Sequence, residues 1–129
     1  MSSTTARTAQ DMVREALTEI ETITVGEARE LLGRDDVVFV DVRETVEYEQ
    51  GTIPHAVHVP RGMLEWYADP TVPIHKAELR SGKRLVLFCA AGGRSALAAK
   101  TLKEMGIGNL CHIGGGFAAW KQAGLPVKR

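Results

Sequence analysis

The chain has 129 residues, 44% hydrophobic, 25% charged and 5% aromatic, enough for one globular domain with its own core and too few for two. Its 16 Lys and Arg balance 16 Asp and Glu, which removes the cationic excess that nucleic acid or an anionic membrane requires. No run approaches the roughly 18 apolar residues of a membrane span, the start lacks a secretory signal's apolar stretch, and two cysteines make no disulfide framework, so a cytoplasmic chain with reduced thiols is expected.

Residues 1–8 are small and polar, as in a frayed terminus. From Ala9 the apolar positions Met12, Val13, Ala16, Leu17 and Ile20 recur at helical spacing and predict an amphipathic helix over 9–21. Its stripe either closes over the chain's own core or meets a second copy. Thr24 and Glu27 form a capping box opening a second helix, which Gly33 stops. VVFVDV at 37–42 is a continuous β-branched run, the mark of a strand buried on both faces. A short acidic helix follows in ETVEYEQG, then a brief strand in AVHV and a short helix in GMLEWYA.

RLVLFC at 84–89 is the second strong strand; RSALAAKTLKEM is a helix, LCHI a strand, GGG a turn and FAAWKQA a closing helix. Strands alternating with helices predict an α/β domain with a mainly parallel sheet and an extra N-terminal helix. Residues 22–129 form that domain.

In parallel sheets ligands collect beyond the carboxyl ends of strands, where helix amino termini offer free N–H groups. Two strands end in polar residues there: one brings Asp41 and Arg43, the other Cys89. After Cys89 come Ala90, Ala91, Gly92 and Gly93, with Arg94 and Ser95 opening the next helix. Small residues let such a loop curl its N–H groups onto the sulfur, and the helix dipole and Arg94 add positive potential. A partly exposed thiolate nucleophile is expected. Alone, a strand-end cysteine would more simply be a small core residue.

CAAGGRSALAAKTL resembles the active-site loop and following helix of the rhodanese-like sulfurtransferases. DVRETVEYEQGTIPHAVHVP at 41–60 and GGGFAAWKQAGLPV at 114–127 resemble two further stretches of that family, in the same order. The likeness runs from about Ile23 to Val127 and implies an α/β fold in three layers, with a mainly parallel central sheet of about five strands flanked by helices. It implies that Cys89 takes a sulfane sulfur from thiosulfate or a persulfide and passes it to cyanide or a thiol, with Ala90 to Ser95 as the substrate cradle. Donor and acceptor are then small molecules, or a persulfide-bearing protein, and neither metal nor cofactor is called for. Arg94 either holds substrate or braces the loop by pairing with an acid; Asp41 and Arg43 either form an ordering ion pair or touch substrate.

The sequence departs from the family where Thr52 replaces the usual His and His55 the usual Gly, which predicts an altered, looser turn. No cation precedes Arg94 in the loop, which leaves a thiosulfate dianion only Arg94, the N–H groups and Arg43 or Arg61. A Cys-to-Arg phosphatase loop uses the same electrostatic device but is longer by one residue than the four between Cys89 and Arg94. A module that receives sulfur or oxidises without turnover is the other alternative. Cys111 reads as a core residue, His55 and His58 as no metal pair, and Trp66, Tyr67, Phe117 and Trp120 as packing aromatics.

Overall fold

The computed structural model describes residues 6–129. Five parallel strands form one sheet in the order β1-β5-β4-β2-β3: β1 (Glu21–Ile23), β2 (Val37–Asp41), β3 (Val57–His58), β4 (Arg84–Phe88) and β5 (Leu110–Ile113). The helices are α1 (Ala9–Leu17), α2 (Val25–Leu31), α3 (Thr45–Gln50), α4 (Leu64–Tyr67), α5 (Gly93–Glu104) and α6 (Gly116–Gln122). Short 3-10 turns cover Arg61–Met63 and Ala77–Arg80.

The unbroken apolar runs follow from burial on both faces. Along β4, Leu85, Leu87 and then Cys89 face the layer of α4 and α5, with Val40, Leu64, Ala98, Ala99 and Leu102. Val86 and Phe88 face the opposite layer, with Ala28 of α2 and Phe117 and Trp120 of α6. Trp120 is fully buried and donates its indole N–H to the Pro126 carbonyl at 2.7 Å. Trp66, expected in the core, is instead 56% exposed because its short helix turns that side outward.

Helix α1 packs against α5 through the buried Ala16, and Lys100 reaches Glu15 at 2.9 Å. Its stripe therefore turns toward its own chain, although Met12 and Leu17 stay partly exposed. Of the expected frayed start, residues 1–5 lie outside the described residues. Thr8 caps α1, exchanging hydrogen bonds with Asp11 at 3.0 Å, and Arg7 pairs with Glu15.

Strand β1 is not expected from the sequence: Glu21 and Thr22 are exposed, only Ile23 is buried, and pairing with β5 makes the strand. The turn at Thr52 to Ala56 is tighter than expected. Thr52 is buried and makes an antiparallel bridge with Lys128, with N–H to carbonyl distances of 2.9 and 2.8 Å. Ala56 N–H closes on the Ile53 carbonyl at 3.1 Å around Pro54 and His55, and His55 sits at φ +68°. That is the third position of a type II turn, which favours glycine. His55→Gly is expected to stabilise the fold by about 0.5–1 kcal/mol, since relief of left-handed strain exceeds the added chain entropy. Urea unfolding of the two proteins measures it.

Candidate active site

Cys89 follows β4 directly, at the carboxyl end of the sheet. The loop that leaves it is short: Ala90, Ala91 and Gly92 lead into α5, with Gly92 at φ +116° as the helix cap. Two N–H groups from this turn point at the sulfur. Gly92 donates to Cys89 Sγ at 3.1 Å and Ser95 at 3.3 Å, the latter from the first turn of α5. Converging main-chain dipoles at a helix start favour negative charge on the acceptor.

Helix α6 holds the loop from behind. Phe117 N–H donates to the Cys89 carbonyl at 2.8 Å and Ala118 N–H to the Ala90 carbonyl at 3.0 Å. These bonds turn both carbonyls away from the sulfur. The approach is so close that a Cβ on Gly116, at φ +59°, would lie 2.5 Å from the Cys89 carbonyl oxygen, so only glycine fits.

The sulfur is deeper than the sequence suggests: Cys89 is 1% exposed, not partly open. The difference arises because its side chain joins the apolar layer with Val40, Val42, Leu64 and Ala98. A cleft of about 590 Å³ opens beside the loop at Ala90, lined also by Arg43, Glu47, Lys121 and Arg129.

Arg94 faces Glu47 of α3, not the sulfur, with bonds of 2.8 and 3.0 Å. The Arg94 hydrogen bond holds the Glu47 carboxyl down at about 2, against an ordinary 4.5, overriding the opposing effect of partial burial. A carboxylate depressed in the folded state stabilises above its ordinary value and loses that contribution as pH falls toward the folded one. Wild type should therefore melt above Glu47→Gln at pH 7, the gap closing between about pH 4.5 and 2.

Asp41 and Arg43 form a buried ion pair. Arg43 Nη2 donates to Asp41 Oδ2 at 2.8 Å, Nε and the Arg43 N–H each to Oδ1 at 3.0 Å, and Thr52 Oγ1 to Oδ2 at 2.8 Å. Arg43 Nη2 also donates to the Gly51 carbonyl at 2.6 Å, and the guanidinium lies 4.4 Å from the Phe117 ring centre.

The sequence reading passed over His112. It lies beside Leu87 in the sheet, 2% exposed, with Nδ1 2.9 Å from Ser95 Oγ and Nε2 2.9 Å from Thr22 Oγ1. Burial pushes its pKa down, which keeps the ring neutral. Alternation along LCHI was the available signal: it puts Leu110 and His112 on the sheet face that carries Cys89, and Cys111 on the other. Cys111 is wholly buried there and its thiol is pushed up to about 11, so the two cysteines lie on opposite faces of the sheet as free thiols. His58 is not beside the sulfur; it stacks on Tyr48 at 4.2 Å and bonds the Arg43 carbonyl. Among the described residues no cluster of three His, Cys, Asp or Glu side chains could hold a metal ion. No helix among them is long and apolar enough to cross a membrane.

Comparison with known proteins places this geometry. A sulfurtransferase of Allochromatium vinosum is 32% identical over 78% of this chain and 86% of its own. A Rhodopseudomonas palustris protein of unknown function, described as a possible tyrosine phosphatase, superposes with a TM-score of 0.92 at 44% identity over 99% of both chains. Thiosulfate sulfurtransferase of Pseudomonas aeruginosa superposes with a TM-score of 0.76 at 26% identity, covering 94% of this chain and 22% of that one. This chain spans 51% of a Synechocystis relative 37% identical to it. The sequence pattern of the rhodanese-like domain matches residues 24–123, from the cap of α2 to the end of α6, and the chain belongs to that family.

Proposed function

We propose that this chain is a sulfurtransferase in which Cys89 carries the sulfur. The observation that carries the reading is the pair of N–H groups, from Gly92 and Ser95, on a cysteine sulfur at the mouth of a parallel sheet. The thiolate attacks the outer sulfur of a sulfane donor; a bond forms between Sγ and that sulfur while the donor's sulfur–sulfur bond breaks and its electron pair leaves with the donor residue. An acceptor thiolate or cyanide then attacks the outer sulfur and returns Cys89 as thiolate. The N–H groups that face Sγ also stabilise negative charge on the persulfide.

The charges nearby favour a persulfide donor over thiosulfate. Arg43 is bound to Asp41, Arg94 to Glu47, and Arg61 to Glu65, so a dianion would have to break an ion pair to gain any of these arginines, whereas a persulfide, with less charge to neutralise, needs none of them; Lys121 and Arg129, which also line the cleft at Ala90, are the cations outside these pairs. Small-molecule persulfides and a persulfide-bearing protein both meet this requirement. The same pairing separates this loop from a phosphatase cradle, which needs its arginine on the phosphate oxygens. The test compares turnover with a glutathione persulfide, thiosulfate and an aryl phosphate ester. Turnover is expected to be fastest with the persulfide and absent with the ester. Ester hydrolysis that disappears in Cys89→Ser would overturn the reading.

A further inference from the structure

A thiol that is 1% exposed has no direct contact through which to pass its proton to water. A hydrogen-bonded chain leads away from it. Cys89 Sγ lies 3.6 Å from Ser95 Oγ, Ser95 Oγ 2.9 Å from His112 Nδ1, and His112 Nε2 2.9 Å from Thr22 Oγ1, while the Gly92 carbonyl, 3.1 Å from Ser95 Oγ, is a second acceptor for the same hydroxyl. Thr22 is exposed on the edge strand β1, where a cleft of about 340 Å³ is lined by Val13, Leu17, Gly92, His112 and Gly114. We propose that Ser95, His112 and Thr22 form a proton relay that ionises the buried Cys89 thiol, with His112 as the positioning residue that sets the direction of the Ser95 hydroxyl. This rests on the sulfur-transfer reading of Cys89.

The protons balance along the chain. In the thiol form, S–H donates to Ser95 Oγ, the Ser95 hydroxyl to His112 Nδ1, and Nε2–H to Thr22 Oγ1. On ionisation the thiol proton moves to Ser95 Oγ, the former hydroxyl proton to Nδ1, the Nε2 proton to Thr22, and the Thr22 hydroxyl proton to water. The imidazole stays neutral and changes tautomer. Nδ1–H now donates to Ser95, freeing the hydroxyl to donate to the thiolate beside the Gly92 and Ser95 N–H groups.

Other titratable groups do not compete. β5 packs against β1, β4, α5 and α6, and the charged side chains those elements carry have partners elsewhere. Glu21 pairs with Arg84, Arg94 with Glu47, Lys100 with Glu15, Glu19 and Glu104, while Lys103 donates to the Glu19 carbonyl and Lys121 lies over the Phe117 ring. Cys111 faces the opposite layer.

Two measurements on the full chain test the relay. Alkylation of Cys89 by iodoacetamide across pH should fall about tenfold at pH 7 in His112→Phe and reach the wild-type plateau in alkali, because without His112 Nδ1–H to direct it the Ser95 hydroxyl donates to the Gly92 carbonyl, 3.1 Å away, and the thiolate loses one donor worth about that factor. His112→Gln, whose amide still donates toward Ser95, should lose threefold or less. A His112→Phe curve that overlies wild type, or that falls equally at every pH, overturns the proposal; should His112→Phe not fold, Ser95→Ala gives the same comparison. Nitrogen-15 NMR of His112 in wild type should show the proton move from Nε2 to Nδ1 as Cys89 ionises, and an unchanged tautomer would also overturn it. Both readouts are independent of sulfur transfer: a relay that works in a protein that moves no sulfur would refute the proposed function and spare the relay.

Discussion

Sulfur transfer by Cys89→Ser is expected to fall at least ~10³-fold while the protein stays folded, because removal of a covalent nucleophile leaves only binding and positioning to act. A serine oxygen can still accept from Gly92 and Ser95, whose N–H groups now hold the sulfur at 3.1 and 3.3 Å. Its hydroxyl, however, does not ionise near neutrality and does not attack sulfane sulfur. Cys89→Ala should lose the same activity and in addition about 1–3 kcal/mol of stability, since both donors are then buried without an acceptor. Cys111→Ala is the control. Its thiol lies on the opposite sheet face and is pushed up to about 11 by burial, so transfer should be unchanged within a factor of about two after allowing for folding. Steady-state assay beside circular dichroism reads all three.

The largest stability effect is expected at Arg43. Asp41 is fully buried, and Arg43 supplies its charge partner from a side chain only 6% exposed. Arg43→Ala leaves a carboxylate inside the protein with the Thr52 hydroxyl as its remaining side-chain donor, and should cost about 3–5 kcal/mol by urea unfolding. That is a large part of the roughly 5–15 kcal/mol that holds an ordinary domain. Arg43→Lys should recover only part of it, because an ammonium cannot bond both carboxylate oxygens and the Gly51 carbonyl in one plane. The same bonds tie the end of β2 to the end of α3 and place the guanidinium against Phe117 of α6, the helix that holds the Cys89 loop. Stability should thus fall first, and the KM for donor in the fraction still folded should stay within about twofold. A KM that rises tenfold with stability intact would instead make Arg43 a substrate contact.

Much of the fold could be read because β2 and β4 are buried on both faces and their sequences have no freedom to alternate. Their apolar runs, the capping box at Thr24, and the glycines after Cys89 each follow from local chemistry, whereas the capping box at Thr8 lies in a stretch read as a frayed terminus. β1 was not legible, because two of its three residues are exposed and its pairing with β5 is the whole reason it is a strand. The turn at His55 illustrates a different failure. A histidine in a glycine position suggests looseness, yet the Thr52–Lys128 bridge and the Asp41 hydrogen bond come from distant residues and hold it shut. Within the site, the loop was legible and the depth of the sulfur was not, since burial of Cys89 depends on how α4 and α5 close over that face. His112 was hidden by its setting, a polar residue in a four-residue strand that is buried throughout.

The most direct measurement is the mass of the Cys89 peptide after treatment of the intact protein with a sulfane donor and again after a thiol chase. The account predicts one added sulfur atom on Cys89, none on Cys111, and its complete removal by the thiol within the time of one turnover. A Cys89 that stays unmodified, or one that gains a sulfur no acceptor removes, would contradict it.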